Sequence, residues 1–417
     1  MRYVFLAALV ALTGCGGALN GAPQPGLQEN AATTANTAGS GKITHVVYVV
    51  QEGRSFDDMF QGYPGADTTP TGKISTGRTI PLQPIGLKAS YDIDTSADAM
   101  FTACNGGGKL PGTECRMNGF NNEAYRGGPK GVRYPMYAYV PHKESKPYFD
   151  MAHEWVVADR MFASQLDGGF TAHQYVVAAQ SGHAVDIPIT PSGCRMPYDT
   201  IRTLTQRRRV GVFETACFTY TTLANELEKA RRSWRFYTAD KAASSFVYDQ
   251  RVFGTPQWRT DVIQPPTKFL SDVASGKLAT VTWITPSCPD SDAVDCGGGG
   301  GPAWVASLVN AVGESKFWDS TAIFVQWDDW GGLYDHVAPQ YMNYDGLGFR
   351  VPLLVISPYA KQNYVSHVQY ETAGVLRFIE DVFGLKPMAA ADRRATSPAA
   401  DCFDFSQPPR SFVPIKS

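Results

Sequence analysis

Apolar and β-branched residues gather in short runs that each end in polar side chains. Residues 43–52 (ITHVVYVVQE), 279–287 (ATVTWITPS), 320–329 (STAIFVQWDD) and 351–358 (VPLLVISP) are apolar on both faces, and 233–240 (SWRFYTAD) is a fifth run of this kind. Strands that are apolar on both faces are covered on both, which predicts a buried parallel sheet. Helical spacing of apolar residues recurs between them, at 220–232, 303–315 and 371–383. Strand and helix alternate, so the fold class is α/β with a mostly parallel central sheet. Ligands of such sheets sit beyond the carboxyl ends of the strands, where Glu52, Asp328 and Asp329 fall. Residues 60–150 follow neither period and are rich in Gly, Pro and Tyr. They are expected to form a long irregular excursion over the sheet edge or the site mouth.

The ends and the composition add a location. Residues 1–14, MRYVFLAALVALTG, carry one positive charge and then an apolar run too short for a transmembrane helix, which reads as an export signal. Residues 12–15 (LTGC) resemble a bacterial lipobox, with Cys15 as the acylated residue; the alternative is an ordinary secretory signal cut nearby. Residues 15–41 are dominated by small and polar side chains and cannot bury a core, so they are expected as a flexible tether before one α/β domain at 42–417. No aspartate follows Cys15, which favours anchoring in the outer membrane. The net charge of −2 and the scatter of basic residues indicate neither nucleic acid nor an anionic membrane surface as a partner. The run Arg207, Arg208, Arg209 reads as a solvated loop. Beyond Cys15 the cysteines suggest local disulfides, Cys104 with Cys115, Cys194 with Cys217 and Cys288 with Cys296, leaving Cys402 over. A structural zinc is disfavoured because there is no C-x-x-C pair and no histidine at ligand spacing.

The chemistry begins at VQWDDWGGLYDHVAP, residues 325–339. Two adjacent carboxylates at the end of a buried strand repel each other, so a divalent cation is the natural group to hold Asp328 and Asp329 together. The alternative is that Asp328 caps a turn and Asp329 pairs with an arginine. Glu52, in QEGRSFDDMF, would complete an oxygen-rich site, or else pair with an arginine such as Arg54. The glycine pair in LDGGFTAHQYVVAAQ, residues 166–180, allows a sharp turn into a helix, the setting in which a nucleophilic hydroxyl is often presented. The GGGGG run at 297–301 has no following Lys-Ser/Thr, so it is read as a flexible loop and not as a phosphate-binding loop.

Long segments in the same order resemble the phosphoesterase family: ITHVVYVVQEGRSFDDMFQGYPGADT, FTAHQYVVAAQ, PAWVASLVNAVGESKFWDSTAIFVQWDDWGGLYDHVAP and GLGFRVPLLVISPYAKQNYVSHVQYETAGVLRFIEDVFGL. The resemblance runs from about residue 42 to about residue 414. It implies an alkaline-phosphatase-like three-layer sandwich and a hydrolase acting on phosphate ester bonds, of the phospholipase C or acid phosphatase type. The expected partners are then phosphate esters or phospholipids, and the membrane through the lipid anchor. It also implies a metal held by a Glu-Asn pair after the first strand and an Asp-Asp pair, a Ser or Thr nucleophile at a helix N-terminus, and histidines around the phosphate.

Glu52, Asp328 and Asp329 match that pattern, whereas four other positions do not. Gly53 stands at the asparagine, and Gly169 stands at the nucleophile, because Ser-Phe-Thr-Ala-His-Gln reads here as residues 169–174, GFTAHQ. Thr95 and Ala293 stand where histidines are common. The expectation is therefore a retained scaffold with catalysis lost or much reduced. Thr171 is a candidate substitute nucleophile, with helix capping as its default role. An active enzyme using Thr171 or a metal-bound hydroxide is one alternative, and a cell-envelope binding or scaffold protein is another. His173 reads as structural, and His336 and His367 as residues near the site without an assigned role.

Overall fold

The computed structural model describes Gly39 and residues 41–189, 192–195 and 199–416. The expected signal segment 1–14, Cys15 and nearly all of the tether lie outside the described residues. The central sheet is built from β1 (His45–Gln51), β2 (Val156–Ala158), β3 (Trp234–Tyr237), β4 (Val262–Ile263), β5 (Val281–Ile284), β6 (Thr321–Trp327), β7 (Leu353–Ile356) and β8 (Tyr364–Ser366). Their order is β4-β3-β5-β1-β6-β7-β2-β8. Neighbours from β4 to β6 are parallel, β8 is parallel to β2, and β7 alone runs antiparallel to both of its neighbours. The sequence reading placed 351–358 among the parallel strands. The connection at 328–352 contains no helix that would carry the chain to the other end of the sheet, so β7 starts at the end where β6 stops.

Side chains alternate across each strand, and this alternation separates the two helical layers. On β6, Phe324 meets Phe378 of the helix Ala373–Phe383 with ring centroids 4.9 Å apart, while Trp327 meets Tyr148 of the helix His142–Glu154 at 4.8 Å. Tyr48 lies opposite Phe324, and Trp283 lies opposite Tyr48, so all three share a face. From that face Trp283 donates its indole N–H to the Val176 carbonyl of the helix Gly169–Ala178. Helices therefore cover both sides of a sheet whose β1 and β6 side chains are almost all buried, as the three-layer expectation requires.

In chain order the helices used below are α1 (Phe56–Phe60), α2 (Ala97–Cys104), α3 (His142–Glu154), α4 (Gly169–Ala178), α5 (Leu223–Lys229), α6 (Gly301–Gly313) and α7 (Ala373–Phe383). The expected helices at 220–232, 303–315 and 371–383 correspond to α5, α6 and α7. The excursion is more ordered than its composition suggests. It holds short strand pairs and α2, whose N-cap Ser96 accepts from the Ala99 N–H. A second apolar core forms as Ile93, Met100 and Phe120 pack with Trp330, Leu333 and Phe349. This core covers the segment after β6, so the excursion forms one wall of the space beyond the strand ends.

Two loop readings change. The glycine run 297–301 is tightly packed: a Cβ at Gly298 or Gly300 would strike the Pro289 carbonyl, and one at Gly301 would strike Asp292. Close backbone approach, and not flexibility, is what asks for glycine here. Arg208 is buried, 1 % exposed, and its guanidinium donates to the carbonyls of Pro111, Gly112, Asn343, Tyr344 and Gly346. Burial lowers its pKa to about 10. The three local disulfides form as expected, and Cys402 is free and buried. Among the described residues no helix is long and apolar enough to cross a membrane.

One core carboxyl sets a pH response. Glu380 on α7 is buried with both side-chain oxygens unpartnered, and burial, then the nearby Asp392, push its pKa up to about 9. Between the ordinary carboxylate range and about pH 9 the folded protein holds a proton that the unfolded chain has released, so stability falls as pH rises through that window. Glu380→Gln removes the titration. It is expected to raise stability at about pH 8 by on the order of 2 kcal/mol while leaving it little changed at about pH 4, as read from urea unfolding at both pH values.

Candidate functional site

β5, β1 and β6 are adjacent and parallel, so the segments that leave their carboxyl ends meet. Two backbone bonds carry the β1–β6 contact beyond the strands, from Asp328 N to Gln51 O at 2.8 Å and from Arg54 N to Asp329 O at 2.9 Å. Between them Gly53 N donates to Asp328 Oδ1 at 2.8 Å, and Asp329 N donates to the same oxygen at 2.7 Å. The turn requires φ +50° at Gly53, a left-handed conformation that glycine adopts freely and asparagine tolerates better than most residues. A Cβ there would sit 3.4 Å from Gly331 Cα.

A cleft of about 190 Å³ opens at this point, and its walls include Glu52, Gly53, Thr95, Gly169, Ala293 and Asp329. Residues from five separated stretches of sequence thus line one space, including the four positions, Gly53, Thr95, Gly169 and Ala293, that the sequence analysis set apart. Gly169 is the first residue of α4, with Gly168 as N-cap, so the cleft faces unpaired helical N–H groups and the positive end of the helix dipole. No atom lies within 4 Å of the position a Cβ on Gly169 would take. Thr171 Oγ1 is buried and donates to the Ala184 carbonyl at 3.1 Å, pointing away from the cleft. It is therefore neither the cap of α4 nor a hydroxyl presented to a ligand. Thr95 is the hydroxyl residue that lines the cleft, packed so closely on Gly168 that a Cβ there would collide with it.

His173 corrects the sequence reading. One turn into α4 it extends its ring to the carboxylates, with Nε2 3.2 Å from Glu52 and 3.4 Å from Asp328 Oδ2. Spacing i, i+4 from Gly169 puts it on the cleft-facing side of the helix, a signal that was available in the sequence. Although burial works against the charged ring, Glu52 and Asp328 raise the His173 pKa well above its usual value. Burial, then the Glu52 charge, raises Asp328 to about 6, and burial with Asp328 beside it raises Asp329 strongly. Glu52, Asp328 and His173 offer three ligand atoms within reach of one ion. Asp328 Oδ2 is buried with only the His173 ring, 3.4 Å away, beside it, which suits an oxygen that takes a cation. Asp329 Oδ1 is committed to the Gly331 N–H at 2.6 Å, and its Oδ2 faces Gly168. His173 thus joins Glu52 and Asp328, and Asp329 stays on the cleft wall beside them.

Two buried aspartates hold this frame, and the sequence reading passed over both. Asp167 accepts from Ala97 N at 2.7 Å and Gly168 N at 2.9 Å, tying the start of α2, and with it Thr95, to the turn before α4. Burial raises its pKa to about 7. Asp292 accepts from the Tyr148 hydroxyl and the Trp327 indole, while Arg54 donates to its carbonyl and its own N–H donates to Gln51 Oε1. That network and the Cys288–Cys296 bridge hold Ala293 beside Gly53.

His336 and His367 belong elsewhere. His336 bridges Asp57 at 2.6 Å and Asp67 at 3.0 Å in a network with Asp335 and Arg350. His367 bonds Asp159 and is 60 % exposed.

A model of the phosphoesterase family matches residues 43–386. The chain is 25 % identical to phospholipase C B of Mycobacterium tuberculosis, over 89 % of this chain and 80 % of that protein. It is 23 % identical to non-specific phospholipase C1 of Arabidopsis thaliana, over 83 % of this chain and 68 % of the relative. Among solved structures, a Vibrio parahaemolyticus protein of the alkaline phosphatase superfamily aligns with a TM-score of 0.38 and 11 % identity, covering 84 % of this chain and 69 % of that one.

Proposed function

This chain belongs to the phosphoesterase family, and from that premise we propose that it is an exported, lipid-anchored member whose hydrolysis is lost or much reduced while its cleft still receives a phosphate ester. Gly169 carries this reading. The first helical residue of α4 faces the carboxylates with open space around it and offers no oxygen to attack phosphorus. Family enzymes of this kind pass through a covalent phospho-enzyme, so the loss of that one group removes the step on which the rest depends.

The surrounding residues still support binding. Glu52, Asp328 and His173 would hold a divalent ion, which supplies positive charge for phosphate oxygens. The N–H groups at the start of α4 donate to the same oxygens. Gly53 and Ala293 add no side-chain donor, so the cleft binds without steadying a leaving group. A second reading, residual hydrolysis, is favoured by one observation: Thr95 brings a hydroxyl into the cleft, as Thr171 does not.

The test measures bis(p-nitrophenyl) phosphate and p-nitrophenyl phosphate hydrolysis with added calcium, magnesium, manganese or zinc, beside calorimetric titration of each ion. We expect ion binding that disappears in Asp328→Asn, with no turnover above that variant. Turnover abolished by Asp328→Asn would overturn the reading, and Thr95→Val against Thr171→Val would then identify the hydroxyl. Absence of both binding and turnover would leave the envelope scaffold alone standing.

A further inference from the structure

Beside the cleft, a cavity of about 590 Å³ is lined by Phe170, Ile187, Pro188, Ile189 and Tyr248, with Glu52 and His173 also on its wall. Its mouth adjoins a small antiparallel sheet, Ala184–Val185 with Thr200–Leu204 and Val210–Thr215. Four of the eight exposed large apolar side chains among the described residues fall here: Ile187 at 70 %, Ile189 at 64 %, Val212 at 52 % and Phe213 at 51 %. They border one small sheet: Ile189 N donates to the Thr200 carbonyl on one side of the central strand and Phe213 pairs with Arg202 on the other, while Val212, next to Phe213 on the edge strand, points to the opposite face. Apolar side chains left in water side by side along one small sheet mark a contact surface.

The charges beside them choose its partner. Arg202, Arg207 and Arg209 are exposed here, against exposed Glu214 and half-buried Asp186. The Arg202 guanidinium lies over the Phe213 ring at 5.6 Å, so its charge stands next to the apolar patch. Arg208 between them is turned inward to five carbonyls, which holds the hairpin tip to the body and leaves its neighbours facing outward. The net charge of −2 conceals this cluster, because acidic residues elsewhere in the chain balance the arginines gathered at 202–209.

We propose that this sheet is a membrane-docking surface that seats Ile187, Ile189 and Phe213, with the edge strand that carries Val212, among the headgroups of an anionic lipid layer and sets the cavity mouth against it. Apolar side chains partition into the interface and arginines pair with lipid phosphates. The cavity then receives the apolar part of a lipid phosphoester while its phosphate reaches the carboxylate end. This last step rests on the proposed function; docking itself does not.

The test uses the full chain carrying Cys15→Ser, so that acylation plays no part. Cosedimentation is measured with vesicles of phosphatidylcholine plus phosphatidylglycerol and with vesicles of phosphatidylcholine alone. The parent is expected to bind the anionic vesicles more strongly, with loss at high salt. Val212→Ser with Phe213→Ser should weaken binding to both by roughly tenfold. Arg202→Gln, Arg207→Gln and Arg209→Gln together should weaken binding to the anionic vesicles alone by roughly tenfold or more. Calcium binding measured in the same preparations, unchanged in these variants, shows an intact fold and separates a failure of docking from a failure of the cleft reading. The proposal is overturned if the parent stays in the supernatant, or if the variants partition as it does. It is equally overturned if sedimentation velocity shows a dimer that Val212→Ser with Phe213→Ser dissociates, since the edge strand would then serve a second copy of the chain.

Discussion

Gly169→Ser combined with Gly53→Asn, Thr95→His and Ala293→His is expected to hydrolyse bis(p-nitrophenyl) phosphate at about 10³-fold or more above the parent, since a nucleophile and its partners act as a unit. Each replacement has a structural warrant. A serine at 169 meets nothing within 4 Å and stands at the first turn of α4, where the helix N–H groups favour an alkoxide and the phosphate it attacks. Asparagine tolerates the φ of +50° at residue 53, and its Cβ would meet Gly331 at ordinary contact distance. The Ala293 loop is held by the Asp292 network and the Cys288–Cys296 bridge, so a histidine there inherits a fixed backbone. Thr95 already faces the cleft. Gly169→Ser alone should give a smaller gain, because the groups that steady the leaving oxygen remain absent. A folded four-site variant that binds the ion and still turns over no faster than the parent would sink the disarmed-site reading.

Arg350→Met is expected to destabilise the protein by about 3–5 kcal/mol, because it leaves buried carboxylates without their counter-charge. Arg350 is fully buried, donates to Asp335 at 2.9 Å and to the carbonyls of Asp67 and Asp159, and lies over the Phe56 ring at 4.9 Å. Asp57 beside it is raised to about 6 by burial, then by Asp335, with His336 and Arg350 pulling the other way. Removing the guanidinium leaves Asp57 and Asp335 facing each other. Replacement of both sides, Arg350→Met with Asp335→Leu, should recover much of the loss, which urea unfolding of the three proteins would show. A single-variant loss below about 1 kcal/mol would mean that the network is wet enough to need no arginine.

The sheet strands were legible because their burial on both faces leaves unbroken apolar runs, and Glu52, Asp328 and Asp329 could be placed at strand ends for the same reason. The reversed direction of β7 was not legible, since a strand buried on both faces reads alike in either direction. Val156–Ala158 was passed over because three residues carry too short a pattern to separate from the helix before it. The excursion's second core was hidden because its apolar residues are spaced by turns and find their partners in Trp330 and Phe349, far along the chain.

By itself the sequence determined the α/β class, the carboxylates at the strand ends, the local cysteine pairs and the glycine pair that opens the turn at residues 168 and 169. These are properties of residue type and short-range spacing, which the chain carries whether or not it is folded. Only the tertiary structure decided that Gly53, Thr95, Gly169 and Ala293 share one cleft, that His173 reaches Glu52 and Asp328, and that Thr171 is turned away. It also decided which of three consecutive arginines is buried. Each of these depends on which distant backbone comes within a few ångströms, and that is set by the packing of helices on both faces of the sheet.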